Sequence, residues 1–368
     1  PHAVRITGIT PQKTLQEGLS ETEFTARIHA EFSVPQTCVS GYNSLRFDDE
    51  LTRQLLYRNF YDPYEREWKN GNSRWDIIDM VRLCAAVRPD GMHWPVNDKN
   101  VKSFRLEDLT VANGISHSQA HDALSDVLAT IELAKKIKQV QPKLYDFVYS
   151  LRWKKKVAAQ IDLTTRKPFI HVSSMYPAAR NCLAFVMPLC RHPLDKNGVV
   201  VCDLMSDPHK WIGLNAAQLA ERLFTPKSQL PEGSEPLPLK VLHINRCPII
   251  APLSILTDSK ALELDIDRNR CVANWKLINE EPSIVGKIGE IYGNKDLPAE
   301  ADPDFMIYSG GFFSDSDRRL MTIIRHSSAE QLAKLDLPFQ DQRLTEMLFR
   351  YRARNYPATL SQEEQNAR

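Results

Sequence analysis

The run T-C-V-S-G-Y at 37–42, with Pro35 before it and Asn43-Ser44 after it, constrains the fold more than any other stretch. A short β-prone segment and a loop-forming pair are followed by Leu51, Leu55 and Leu56 at helical steps, so the local order is strand, loop, helix. That order predicts an α/β domain with a buried strand over 37–42 and a helix over 48–60. Upstream, Phe24, Ile28 and Phe32 stand four apart and Ser20 with Glu23 forms a capping-box pattern, which predicts a helix over 20–32.

Further along, S-F-R-L-E-D-L-T-V-A-N-G-I from 103 reads as a short helix stopped by Asn113-Gly114. A longer helix follows from about Asp122 to Gln139, in which Leu124, Val127, Leu128, Ile131, Ala134 and Ile137 fall at three- and four-residue steps. That stripe is expected to face a core, and Pro142 to end the unit. Residues 168–203 then alternate short β-prone runs with Pro, Asn and Gly, and four prolines stand within 226–238, so a small antiparallel β domain with long loops is predicted. From about 290 onward S-D-S-D-R-R-L-M-T-I-I and D-Q-R-L-T-E-M-L-F-R-Y-R-A-R-N read as helices.

A chain of 368 residues is too long for one ordinary core. Its net charge of +1 does not point to an acidic partner, but the distribution does. Ten Lys or Arg stand between Lys135 and Lys167 against two acids, Asp146 and Asp162, which is either a phosphate-facing surface or a solvated helix face with a basic linker. Seven scattered cysteines without a C-x-x-C indicate neither a disulfide framework nor a structural zinc site, and a reducing cytosol fits them. No apolar run approaches the roughly 18 residues of a membrane span.

The chemistry concentrates in two stretches. In A-H-D-A-L-S-D at 120–126, His121 precedes the helix and Asp126 sits one turn into it, so a loop sets the direction of the histidine and both side chains could reach one cleft. In G-Y-N-S-L-R-F-D-D-E at 41–50, three acids open a helix. Hydrolysis of a phosphodiester by two divalent cations, roughly 3.5–4 Å apart, needs about four carboxylates and a base for the attacking water, and oxygen ligands suit Mg²⁺ and Mn²⁺. Plainer readings stand beside this one. Asp122 is a good N-cap, Asp126 an ordinary exposed helix carboxylate, His121 a satisfied histidine, and Asp48, Asp49 and Glu50 a first turn favoured by the helix dipole.

Taken together, G-Y-N-S-L-R-F-D-D-E and F-R-L-E-D-L-T-V-A-N-G-I-S-H-S-Q-A-H-D-A-L-S-D resemble the second and third motifs of the DEDDh 3′ to 5′ exonucleases. Within that superfamily the chain resembles the bacterial exonuclease I family. I-T-G-I-T-P at 6–11, Y-R-N-F-Y-D-P-Y at 57–64, N-S-R-W-D-I-I-D at 72–79, H-I-N-R-C-P at 243–248, G-G-F-F-S-D-S-D at 310–317 and Y-R-A-R-N-Y-P at 351–357 carry the likeness along essentially the whole chain. The resemblance implies an RNase H-like (DnaQ-like) exonuclease domain over 1–141, an SH3-like β domain over 142–292 and a helical C-terminal domain over 293–368. It implies a monomeric, cytoplasmic, Mg²⁺-dependent enzyme, with Mn²⁺ as a substitute, that releases nucleotides from the 3′ end of single-stranded DNA in repair and recombination. By the same resemblance Asp48 and Asp126 hold metal and His121 is the general base. Asn43, Arg46, Phe47, Arg53 and Arg105 surround the motifs as candidate strand contacts, and Arg350, Arg352 and Arg354 add charge to a groove. Arg88 and Lys167 match positions of a pocket for the acidic C-terminal tail of single-stranded DNA-binding protein.

One element of the family pattern is missing. Its first motif, Asp-x-Glu on the opening strand, is matched only by Asp48-x-Glu50, already inside the second motif. The expectation is therefore a chain truncated at its N-terminus and also at its C-terminus, lacking opening strands and two metal carboxylates, and inactive or impaired. The alternative is a catalytically silent module that binds single-stranded DNA or the acidic tail.

Overall fold

The computed structural model describes residues 2–117, 122–293 and 300–367. The chain divides into two compact units, the first made of Pro1–Val39, Ser44–Arg74 and Leu297–Arg368, the second of Ser40–Asn43 and Trp75–Asp296. His121, the expected general base, lies outside the described residues.

The first unit is helical, and local sequence sets its helix starts. The Glu21–Phe32 helix begins where the Ser20 hydroxyl accepts a hydrogen bond from the Glu23 N–H at 3.3 Å. The Asp48–Arg58 helix ends two residues before the sequence suggested, at Asn59 and at Phe60, whose φ of 64° is incompatible with continuing the helix. Tyr57 and Phe60 then join Ile307, Met321, Ile324, Leu332, Leu344, Met347 and Tyr351 in one core. The helices Asp315–His326 and Arg343–Asn355 therefore do not close a core of their own over 293–368. They share one with residues 57–60, because those helices leave apolar stripes that the chain near Phe60 fills.

Two strands, β1 (Cys38–Gly41) and β2 (Ser73–Asp76), form a two-stranded sheet. β2 is buried throughout, whereas β1 is half-buried and exposes Ser40, so the buried strand expected over 37–42 is shorter and less covered than its composition suggests.

The second unit carries a five-stranded antiparallel sheet. Its strands are β3 (Phe169–Val172), β4 (Leu183–Arg191), β5 (Gly198–Asp203), β6 (Leu239–His243) and β7 (Ile249–Ala251), ordered β6-β5-β4-β3-β7. Phe169 opposes Val186 and Val201 opposes Pro188, with a bulge between Pro188 and Cys190. Ala184, Val186, Val199, Val201, Leu242 and Ile250 pack with Leu151 and Val157 in one core. The alternate residues Phe185, Met187, Val200 and Cys202 are buried as well. Both faces of the central strands are covered, which is why V-V-V-C reads as a continuous apolar run instead of an alternating one.

The Ala123–Val140 helix also belongs to this unit, and its sequence stripe is covered only toward its end. Leu124, Val127, Leu128 and Ile131 are exposed, Ile137 of the stripe is buried, and Ala129 and Leu133, outside the stripe, are buried with it. The helix meets the Leu106–Ala112 and Pro142–Ser150 helices. Periodicity identified the helix correctly and its covered face only in part. Among the described residues no helix is long and apolar enough to cross a membrane.

Candidate active site

Three consecutive acids open the Asp48–Arg58 helix, and the first unit gives each a different environment. Asp49 is buried and its carboxylate meets Arg66 at 2.8 Å and Arg74 at 3.2 Å. Glu50 meets Arg53 at 2.7 Å and accepts the Tyr308 hydroxyl. Asp48 enters no ion pair with a described residue. Desolvation pushes its carboxyl above the ordinary aspartate range and the charge of Asp49 adds to this, against a hydrogen bond from its own backbone N–H. A partly desolvated carboxylate beside a neutralised one is the donor that a hard divalent cation suits. The donor chemistry thus fits a metal at Asp48, and Asp49 and Glu50 are fixing residues.

In the second unit, Asp122 caps the Ala123–Val140 helix by accepting the Ser125 N–H at 3.0 Å, which is the plainer role foreseen for it. Asp126 stands in the first turn. Its Oδ1 lies 2.7 Å from Nε2 of His117, a side chain only 3% exposed. Nδ1 of His117 faces the Thr110 hydroxyl at 3.2 Å, and that hydroxyl lies 2.9 Å from the Glu107 carbonyl. The loop carrying His117 is itself anchored. Asn113 donates to the carbonyls of His93 and Leu109, and its own carbonyl accepts from Lys136 at 3.0 Å. Gly114 follows at φ 65°, where a side chain would be strained. The sequence reading passed over His117, although it stands in the same S-H-S-Q-A-H-D run as His121. Its signal is a histidine nine residues before the helix carboxylate, detectable only once the loop is seen to fold back on the first turn.

Asp48 and Asp126 belong to different units. Among the described residues no three or more His, Cys, Asp or Glu side chains gather as metal ligands.

The candidate strand contacts separate cleanly. Asn43 takes a left-handed φ of 61° and donates its backbone N–H to Asp76 at 2.8 Å, while its side chain is exposed. Arg46 is exposed, Phe47 is 67% exposed, and Arg105 is exposed with Glu107 at 3.7 Å. Arg53 is the correction. It is 4% exposed, holds Glu67 through Nε and Nη2 at 2.7 and 2.9 Å and holds Glu50 through Nη1, so its guanidinium braces the helix and does not reach for a strand. The Arg350, Arg352 and Arg354 cluster is corrected in the same way. Arg350 meets Asp302 and Glu346, Arg352 grips Glu364 with two bonds, and Arg354 meets Asp304, so these cations are already neutralised. In the second unit Arg88 donates to the carbonyls of Val87 and Ile255, and Lys167 is exposed. Within the basic block Lys154, Lys155 and Lys156 are exposed, and the Arg152 guanidinium lies 3.6 Å from the Tyr149 ring centre.

The first unit also holds a cavity of ≈ 320 Å³ walled by Tyr57, Tyr61, Tyr64, Phe312 and Phe313 with Arg325. Its acids are matched: Asp62 faces Arg318 at 3.8 Å and Glu65 faces Lys69 at 2.8 Å. Arg325 donates to the Phe60 carbonyl and to Thr322, lies over the Tyr61 ring at 4.6 Å, and is in contact with no carboxylate among the described residues. Burial lowers its pKa. Phe312 is 82% exposed at the edge of the cavity, and Phe313 stacks on Tyr57.

Acids in the first turns of two helices and a five-stranded antiparallel β unit agree with the expected nuclease carrying an attached β domain, and comparison with known proteins shows the family and its domains. Residues 1–134 match the exonuclease model, 152–294 the exonuclease I SH3-like domain and 301–367 the exonuclease I C-terminal domain. The chain is 46% identical over 372 residues to exodeoxyribonuclease I of Escherichia coli strain K12, covering 99% of this chain and 77% of that protein. The solved zinc-bound complex of E. coli exonuclease I with single-stranded DNA matches with a TM-score of 0.95 and 45% identity, covering 100% of this chain and 78% of that one. A complex of exonuclease I with SSB-Ct matches with a TM-score of 0.93 and 45% identity, over 100% and 77%. The fold is thus an RNase H-like exonuclease domain with SH3-like and C-terminal domains, and the protein is a nuclease. It belongs to the exonuclease I family.

Proposed function

We propose that the protein is a 3′ to 5′ exonuclease that releases nucleotides from single-stranded DNA with Mg²⁺, Mn²⁺ substituting, and that it acts in DNA repair and recombination in the cytoplasm as a monomer. The observation that carries this reading is the contrast at the helix start: Asp49 is neutralised by two arginines and Asp48 by none described. Functional divisions at 1–141, 142–292 and 293–368 go with it.

Asp48 and Asp126 would each serve as a metal carboxylate; bound metal supplies charge to offset that developing on the phosphorus and lowers the pKa of a water. His121 accepts the proton from the attacking water. Asn43, Arg46, Phe47 and Arg105 contact the strand by phosphate pairing or base stacking. The cavity beside Phe312 adds aromatic faces for bases and, in Arg325, a cation for phosphate. Arg88 and Lys167 receive the acidic tail of single-stranded DNA-binding protein, the kind of partner seen in the SSB-Ct complex of the relative.

The test is a 5′-labelled single strand given to the full protein with Mg²⁺, beside Asp48→Asn and Asp126→Asn. The reading expects shortening from the 3′ end in the parent and in neither variant. Equal cutting by all three overturns the assignment of the carboxylates. Tight strand binding without cutting by any of them supports the silent binding module.

A further inference from the structure

We infer that His117 is a positioning residue for the metal-binding carboxylate, aiming Asp126 through its Nε2–H. The inference rests on the reading of Asp126 as a metal ligand and extends it to a residue that reading does not contain.

An ionised carboxylate only accepts, so the 2.7 Å contact requires the proton to be on Nε2 of His117, with Oδ1 of Asp126 as acceptor. On the opposite side of the ring, Nδ1 meets the hydroxyl of Thr110, a residue with 0% exposure. The imidazole is therefore fixed at both nitrogens in a setting where an unmatched polar group is costly. Asp126, by contrast, is 42% exposed in its side chain and sits in a first helical turn, where several staggered rotamers are open to it. A carboxylate offers about four lone-pair positions, so the His117 bond at Oδ1 restrains its direction without using all of them. The polar partners that orient metal ligands typically change affinity by 10–100-fold when removed.

The same bond joins the loop after the Leu106–Ala112 helix to the first turn of the Ala123–Val140 helix. Asn113 and Lys136 reinforce the tie from the loop side.

Mn²⁺ binding to the full protein, followed by electron paramagnetic resonance, tests the inference without requiring turnover, beside His117→Ala, His117→Gln, Thr110→Val and Asp126→Ala. The expected result is a loss of roughly tenfold or more in Mn²⁺ affinity for H117A. A smaller loss is expected for T110V, which keeps the ring but removes its second anchor, and recovery for H117Q, whose amide can donate to Oδ1. If H117A fails to fold, T110V and H117Q carry the comparison, and a parent-like affinity in T110V overturns the inference. Parent-like affinity in H117A with binding lost in D126A overturns the inference and leaves the metal reading standing. Parent-like binding in D126A overturns the metal reading and the inference with it.

Discussion

Asp49 and Arg66 meet inside the first unit at 2.8 Å with their side chains 6% and 1% exposed, and the residue immediately before them in the helix, Asp48, takes no part in that pairing. Adjacent helical positions point about 100° apart, so one aspartate turns inward to the arginines while its neighbour turns outward. Each position thereby acquires a separate job.

That division predicts opposite responses to the same chemical change. Asp49→Asn leaves Arg66 and Arg74 buried with reduced counter-charge, and breaking a buried pair costs roughly 3–5 kcal/mol. Asp48→Asn removes a carboxylate that desolvation disfavours, so stability is unchanged or slightly raised. Urea unfolding of the two variants beside the parent measures both. A comparable loss in each would show that Asp48 is also structural.

For activity the order reverses. Asp48→Asn and Asp126→Asn are expected to lower metal-dependent cleavage by at least about 10²-fold, since metal stabilisation of the transition state amounts to several kcal/mol and each 1.36 kcal/mol is tenfold. Arg46→Ala, in contrast, should weaken strand binding and flatten its salt dependence. Rates at saturating and subsaturating oligonucleotide separate the two effects.

Strand affinity should respond at the aromatic cavity. Base stacking on an aromatic ring is worth about 1–3 kcal/mol by alanine substitution, so Phe312→Ala is expected to weaken binding of an oligothymidine by roughly 5- to 140-fold. The fold should stay intact because that ring is exposed. Arg325→Met should weaken binding less at high salt than at low salt. Fluorescence anisotropy titrations at two ionic strengths decide this, and unchanged affinity in both variants removes the cavity from the strand path.

Stability should fall on the acid side of neutrality. His171 in β3 is buried, and burial, then the charge of Lys240, lowers its pKa well below 6.5, while its Nδ1 lies 2.9 Å from the Tyr176 hydroxyl. The unfolded chain takes up a proton near pH 6.5 that the folded state refuses. The stabilising contribution is therefore complete above that pH and declines below it, by at most about 1.4 kcal/mol per pH unit, until the folded group titrates. His29 and His243 are lowered by burial in the same direction and add to the slope. Denaturant unfolding at pH 7.5 and 5.5 should show this loss, smaller in His171→Gln.

Much of the molecule was legible in the chain. Ser20, Asp122 and Asn113 marked helix ends through local hydrogen bonds that involve only neighbouring residues. Asp48 and Asp126, proposed as site carboxylates from motif resemblance, each stand in the first turn of a helix that the sequence also predicted. What misled was burial. The Leu124, Val127, Leu128 and Ile131 stripe obeys the helical period yet is exposed, because period reports a face and not what covers it. Arg53 and the Arg350, Arg352 and Arg354 cluster looked available for phosphate, because a sequence shows cations without showing which carboxylates return to meet them.

The elements, their caps and the family follow from residue type and short spacing along the chain. The three-dimensional fold sets which acid is paired, Asp49 and not Asp48, and brings His117 to Asp126. It also decided that the C-terminal helices share a core with Phe60. Each of those outcomes depends on groups distant along the chain brought within a few ångströms, where desolvation and pairing select among side chains that are chemically alike.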